Sequence, residues 1–283
     1  MTTSHAVLIT GCSSGVGHAA ALRFLRAGHP VYATARQVET LRGLVQAGAV
    51  ALPLDLTDDA SMTAAVKRVE SDHGAVGVLV NNAGYGLQGA VEVISLDAVR
   101  TLFETNLFGA VRLCQLALPG MRARGAGRIV NVSAMGGHIT FPGTGMLHAT
   151  KHALRAASNA LRLEVRPYGV AVSVVEPGPI RTRFAGKANA TLPTEAGAGP
   201  YHRFHEELAA RLEAAYQPKP VDLVLSAEAV ARTIERAALS RRPRARYPVG
   251  AMSRGVIALS RFLPDAALDA VIRWQFPVPR PPV

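Results

Sequence analysis

The chain is predicted to form an α/β doubly wound fold, a mostly parallel seven-stranded sheet with helices on both faces. Two observations carry that expectation. Short β-branched apolar runs alternate with longer stretches of helical period, and the first run is followed at once by the glycine-rich turn Gly11-Cys12-Ser13-Ser14-Gly15-Val16-Gly17. At 283 residues, 49% of them hydrophobic and with no charge-rich tract, the chain is read as a single domain over 1–283.

Seven strands are expected at 6–10, 30–35, 49–52, 76–81, 128–133, 170–175 and 245–248. The clearest helix is expected from Leu96 to Met121. Ser95 can cap it, Asp97 suits its positive end, and Leu96, Val99, Phe103, Leu107, Val111, Cys114 and Leu118 form one apolar stripe. A second long helix is expected from Gly145 to Val165, stopping before Pro167. Beyond Pro177 a Gly-, Pro- and Thr-rich stretch leads into a helical segment, 201–216. An insertion of this length between strand and helix reads as a substrate lid over 184–217. Residues 250–283 read as a C-terminal helical extension, one or two amphipathic helices.

Composition excludes several classes of function. The two cysteines, Cys12 and Cys114, lie in no CxxC or metal-ligand spacing, so neither a metal site nor a disulfide framework is expected. No signal core opens the chain and no run of about eighteen apolar residues occurs, so no spanning segment is expected and a cytoplasmic location is. The formal charge of +11 includes a cluster at Arg241, Arg242, Arg244 and Arg246. It reads as a solvated face, or more sharply as a partner for an acidic ligand or a membrane surface. Nucleic acid is not expected, since no aromatic residues interleave the cluster.

The chemistry starts at the glycine turn. Between a strand and a helix, glycines let a pyrophosphate approach the backbone, while the helix start offers unpaired amides and a positive dipole end. This context predicts a Rossmann-type dinucleotide site built from Gly11, Ser13, Ser14, Gly15, Val16 and Gly17. An acid ending the second strand would accept from the free ribose hydroxyl of NAD; here that place holds Ala35-Arg36. A guanidinium pairs with phosphate instead, so Arg36, with Ser13 as a further donor, predicts NADP(H).

Several further motifs follow: Asn81-Asn82-Ala83-Gly84, Asn106, Asn131-Val132-Ser133, Lys151 within Ala149-Thr150-Lys151-His152-Ala153-Leu154, and Pro177-Gly178-Pro179-Ile180-Arg181-Thr182. With the glycine turn, they make the chain resemble the short-chain dehydrogenase/reductase family over nearly its whole length, most of all the retinol and hydroxysteroid dehydrogenase branch. The resemblance implies hydride exchange between a nicotinamide and an apolar alcohol or ketone. It implies Asp55 and Leu56 at the adenine, and Asn81, Asn82, Ala83 and Gly84 along the cofactor. It also implies Lys151 on the nicotinamide ribose, Pro177, Gly178, Ile180 and Thr182 at the carboxamide end, and Asn106 in a catalytic water relay. A homodimer or homotetramer, through the helices around Leu107 and Leu154, is likewise implied.

Two departures qualify this picture. The family donates a proton from a tyrosine four residues before the lysine, one helical turn away, and steadies the substrate oxygen with a serine thirteen residues earlier. Those positions here are Leu147 and Ala134. Neither side chain has a proton to give, and losing a general acid costs about a hundred- to ten-thousand-fold in rate. Ser133 is expected to face away, because side chains alternate along a strand. His138 is a loop histidine that could swing in as a replacement, while His148 and His152 are offset by about 100° around the helix. Tyr85 and Tyr201 are further hydroxyl donors with no positional support. Three readings remain open: an oxidoreductase weak or inactive in carbonyl reduction; altered chemistry such as C=C reduction, isomerisation or cyclisation; or a non-catalytic NADP(H)-responsive protein.

Overall fold

A computed structural model describes residues 5–182, 184–193, 199–217 and 223–279. The first half runs β1 (Val7–Ile9), α1 (Gly15–Arg26), β2 (Val31–Ala35), α2 (Arg42–Gln46), β3 (Val50–Pro53), α3 (Asp59–His73), β4 (Val78–Asn81), α4 (Leu96–Phe103) and α5 (Gly109–Ala123). The second half runs β5 (Gly127–Val132), α6 (Gly145–Val165), β6 (Val170–Pro177), α7 (Phe184–Asn189), α8 (His202–Tyr216), α9 (Ala227–Leu239), β7 (Arg246–Val249), α10 (Ala251–Phe262) and α11 (Asp265–Gln275). All seven expected strands form. They pair in the order β3-β2-β1-β4-β5-β6-β7, and every pairing is parallel rather than mostly so.

The central strands are apolar along their length because both faces of a parallel sheet are covered. On one face Val7, Ile9 and Val80 pack beneath α1 and α9 with Phe24, Val230 and Ile234. Arg23 of α1 bridges Glu228 and Glu235 of α9 across that layer. On the other face Leu8, Leu79 and Ile129 pack beneath α3 and α5 with Val66, Leu113 and Met121. The strand order reverses between β1 and β4. Two connections therefore leave in opposite directions and open a crevice at the carboxyl ends of these strands.

The helix expected from Leu96 to Met121 is interrupted. Residues Glu104–Phe108 form a π turn between α4 and α5, and the helix runs on to Ala123 with Pro119 inside it. A π turn holds an extra residue, which rotates everything downstream relative to a 3.6-residue repeat. The expected apolar stripe is only partly buried: Leu96, ahead of the π turn, is 67% exposed, Val99, Phe103, Leu107, Val111 and Leu118 are half-buried, and Cys114 is buried beside Leu113, Ala117 and Met121. The helix from Gly145 to Val165 forms as expected, and Leu154 lies inside it at 2% exposure, so its own side chain does not face a partner.

Within the 184–217 segment, α8 places Phe204 and Leu208 in a small apolar cluster with Ala90, bordered by Leu192 and Leu212. His205 accepts a hydrogen bond from the Ala90 amide through Nε2 at 2.9 Å. Phe204 and Leu208 thus pin this segment to the loop after β4, whereas Phe184 is 39% exposed. Residues 194–198 of the expected lid and 280–283 of the expected C-terminal extension lie outside the described residues.

The burial pattern separates two leucines on one helical run. Leu113→Ala should destabilise the chain by about 2–5 kcal/mol, whereas Leu96→Ala should change stability by no more than about 0.5 kcal/mol. Urea unfolding followed by circular dichroism measures both, and equal losses would contradict the burial assigned to the two side chains.

Candidate active site

The turn after β1 is built around a close approach. Gly11 has φ +74°, which a side chain rarely tolerates, and a Cβ there would lie 2.9 Å from Ala83 Cα. A Cβ on Gly17 would come within 2.3 Å of the Gly11 carbonyl oxygen. Ser14 stands at the N-cap of α1 with extended backbone and makes no side-chain cap bond, so the first turn of α1 is left open to an outside acceptor. Val16 packs into the core. Ser13 is exposed, and Thr182 lies across from Gly15, its γ-methyl 3.2 Å from where a Cβ would sit. This space, narrow and lined by glycine, fits the phosphate bridge of a dinucleotide.

Thr10 and Asn82 hold the crevice in shape. The amides of Asn82 and Ala83 both donate to Thr10 Oγ1 at 3.0 Å, and Asn82 Nδ2 donates to the Thr10 carbonyl at 2.9 Å. Thr10 was not among the expected site residues, although a hydroxyl before the turn was its signal. Asn81 faces the other way. Its Nδ2 is buried and donates to Asn131 Oδ1 at 2.9 Å, and Asn131 donates in turn to Ser158 at 2.8 Å. The expectation that the Asn81 side chain lines the cofactor is thereby corrected: the last residue of β4 points into the layer beneath α5, and its neighbour Asn82 faces the crevice.

At the adenosine end, Arg36 is exposed just past β2 and forms no side-chain hydrogen bond or ion pair among the described residues; its charge reaches Asp55 and Tyr85. Asp55 accepts from the Thr57 amide at 2.9 Å and hydroxyl at 2.8 Å. The Thr57 amide bond, then the Thr57 hydroxyl and Arg36, hold its carboxyl below the usual value against partial burial. Leu56 is buried, and a Cβ on Gly109 would lie 2.6 Å from its backbone oxygen. Its side chain serves the core under α5.

Asn106 sits on the π turn, where the extra residue lets its amide reach both ways. Oδ1 accepts from the Tyr85 amide, and Nδ2 donates to the Tyr85 carbonyl, each at 3.0 Å. Nδ2 also lies 3.3 Å from Thr150 Oγ1 on α6. Lys151, 8% exposed, reaches the same place and donates to the Val132 carbonyl at 3.2 Å. A Cβ on the exposed Gly84 would stand 2.9 Å from Asn106 Oδ1 and 3.7 Å from Lys151 Nζ. Burial pushes the Lys151 ammonium down to about 8, and no carboxylate offsets it. Pro177 is buried and Gly178 donates to the Val249 carbonyl at 3.2 Å. Beyond them a bridge between Ile180 and Leu225 fixes the strand leading to Thr182.

The residue four before Lys151, Leu147 in the first turn of α6, and the one thirteen before that, Ala134 after β5, are aliphatic and half-buried. Ser133 Oγ donates to the Lys151 carbonyl at 3.2 Å, which keeps it on α6. His138 is not a swinging surface residue. Its side chain is 4% exposed, with Nε2 2.8 Å from Glu176 Oε1 and Nδ1 3.0 Å from Arg155 Nη1. Arg155 can only donate, so Nδ1 accepts and the proton sits on Nε2, facing Glu176. His148 is buried against Phe141, and burial pushes it down to about 4, leaving it neutral at ordinary pH. His152 Nδ1 lies 3.0 Å from the His148 carbonyl. The Tyr201 hydroxyl is taken by Glu92. Tyr85 is half-buried, and desolvation raises its hydroxyl pKa. Among the described residues no cluster of His, Cys, Asp and Glu fits a metal ion, and no helix is long and apolar enough to cross a membrane.

The unpaired lysine has a measurable signature. In the free protein Lys151 binds its proton less tightly than in the unfolded chain, where the value is near 10.5. Its destabilising charge is therefore fully present below about pH 8 and is relieved as pH rises from there to 10.5. At about 1.4 kcal/mol per tenfold in proton affinity, the penalty is about 3 kcal/mol. Lys151→Met should raise stability at pH 7 by up to that amount and flatten the pH dependence of chemical unfolding in this window.

Comparison with known proteins agrees with this geometry. The family model described as short chain dehydrogenase matches residues 5–193. The oxidoreductase YbbO of Escherichia coli K12 is 37% identical over 269 residues, spanning 94% of this chain and 93% of the relative. The NADPH-dependent 3-dehydrocapnine reductase of Ornithobacterium rhinotracheale is 32% identical over 278 residues, spanning 93% and 94%. A crystal structure of a short-chain dehydrogenase from Streptomyces avermitilis superposes with a TM-score of 0.75 at 31% identity, covering 96% of each chain. The doubly wound sheet thus has its counterpart in a known structure, and this chain belongs to the short-chain dehydrogenase/reductase family.

Proposed function

We propose that this chain is an NADP(H)-binding oxidoreductase whose cofactor site is complete and whose carbonyl-reducing proton donor is lost. The observation that carries the reading is the pairing of a buried, unneutralised Lys151 with aliphatic residues, Leu147 and Ala134, where the family's tyrosine and serine would stand. The turn through Gly11, Ser13, Ser14, Gly15, Val16 and Gly17 would take the pyrophosphate on the amides of α1. Arg36 and Ser13, both exposed, would take the 2′-phosphate, and Asp55 would meet the adenine. Asn82, Ala83 and Gly84 would border the nicotinamide half, with Lys151 on its ribose and Ile180 and Thr182 at the carboxamide. NADPH dependence, as in the name of the 3-dehydrocapnine reductase, supports this choice of cofactor.

When bound, the cofactor supplies hydride exchange. The residues of the chain orient it, and the apolar Leu147 and Ala134 would shape a pocket for an apolar alcohol or ketone without protonating it. Asn106 spends its amide on the Tyr85 backbone and Thr150, and so would position Gly84 and Lys151. The half-exposed apolar faces at Leu96, Phe108 and Leu163 support a homodimer or homotetramer built on α4 to α6.

Two measurements test the reading. Arg36→Ala should weaken NADPH binding by about 10- to 100-fold, the value of a charge-assisted phosphate contact, and leave NADH unchanged in calorimetric titration. Installing the missing pair, Leu147→Tyr with Ala134→Ser, should raise NADPH-dependent reduction of an apolar ketone panel by about 100-fold or more. A wild type as fast as the double variant would overturn the loss of the donor, and a wild type that fails to bind NADPH would overturn the cofactor site.

A further inference from the structure

Each of the two C-terminal helices turns an aromatic side chain outward. Phe262, the last residue of α10, is 84% exposed and Trp274 on α11 is 83% exposed. Leu259 and Val271 add exposed aliphatic surface, and Ala266, Ala270 and Trp274 follow at four-residue spacing along one side of α11. An aromatic side chain hides about 150–250 Å² when buried. Two of them left in water beside exposed aliphatics mark a surface that another apolar phase covers.

The charges around this surface select that phase. Arg254, Arg261 and Arg273 lie exposed on the two helices, against Asp265 and Asp269. Arg246 and Arg155 lie near Arg261, and burial together with the repulsion of Arg246 and Arg261 weakens the hold of Arg155 on its proton. The one acid acting on Arg155, Glu176, is buried and already bonded to His138. A second copy seated symmetrically on this face would set the same arginines against this rim. An anionic lipid surface offers the opposite charge beside an apolar interior. Tryptophan suits the boundary, since its ring is apolar and its indole N–H stays near water.

We propose that α10 and α11 form a docking surface for anionic lipid bilayers, with Phe262 and Trp274 seated in the interface and Arg254 and Arg261 among the headgroups. The inner side of α11 gives the placement a purpose. Asp269, Ile272 and Arg273 border, with Val91 and the loop Thr140–Gly143, a cleft of about 360 Å³. Phe276 anchors that side by stacking on Phe141, ring centroids 4.4 Å apart. A docked α11 would hold this cleft against the bilayer, where an apolar molecule could pass between them. The proposal stands apart from the reaction assigned above, since it concerns exposed residues of α10 and α11, none of which is given a part in cofactor binding or turnover.

Trp274 is the only tryptophan of the chain, so its emission reports this surface directly. The full-length protein should show a blue-shifted emission and co-sediment with vesicles of phosphatidylcholine containing phosphatidylglycerol. It should do neither with phosphatidylcholine alone, and raised salt should weaken the effect. Phe262→Ser, at a site too exposed to affect folding, should lower partitioning by about tenfold or more. An emission unchanged by either vesicle would overturn the proposal. So would a blue shift without lipid that grows with protein concentration as the sedimenting mass doubles, because a second copy would then cover the face.

Discussion

The bonds between Thr10 and Asn82 join the two halves of the sheet where its winding reverses. Thr10 accepts from two successive amides beyond β4, and Asn82 returns a bond to the Thr10 carbonyl. The strands β1 and β4 are already paired along their length, but their carboxyl ends would be free to diverge. These bonds draw them together, so closely that a Cβ on Gly11 or Gly17 would strike neighbouring backbone. The glycine turn is therefore as much a consequence of packing between the two loops as a preparation for a phosphate. Both demands fall on the same residues.

A second layer of polar contacts carries this geometry outward. Asn81, Asn131 and Ser158 link β4, β5 and α6 beneath the crevice, and Asn106 clamps the loop after β4 to α6 above it. Buried amides are costly unless paired, so such chains fix one arrangement of the elements they join. Lys151 is the exception in this layer. It is held by a single carbonyl, which leaves its ammonium poorly solvated and responsive to any hydroxyl or phosphate brought near it. The half-buried Leu147 and Ala134 stand in contrast, with no group that can give or take a proton.

His138 illustrates how a loop position misleads. Sequence places it just after the Ala134 position, where a replacement acid would be welcome, but the ring is turned away and held between Arg155 and the buried Glu176. Glu176 lies one residue before the Pro177-Gly178 motif, so this pair steadies the far wall of the crevice. Burying a carboxylate there is tolerable only with such partners. A histidine and a glutamate thirty-eight residues apart gave no local signal of their pairing.

The fold, the strand positions and the glycine turn were legible in sequence because each rests on local rules: β-branched runs, helical period and the steric need for glycine. Arg36 was singled out by its charge just past the second strand, and Lys151, Leu147 and Ala134 only through the resemblance to the family. Tertiary structure decided what depends on distant partners. It set the π turn between α4 and α5, the inward turn of Asn81, and the burial of Phe204 and Leu208 against Ala90. It also brought Arg155 and Arg246 beside Arg261, near the exposed Phe262, a basic and apolar rim that no single stretch of the chain displays. Local propensity chooses the elements, whereas burial, which is shared among residues far apart in the chain, chooses the faces they present.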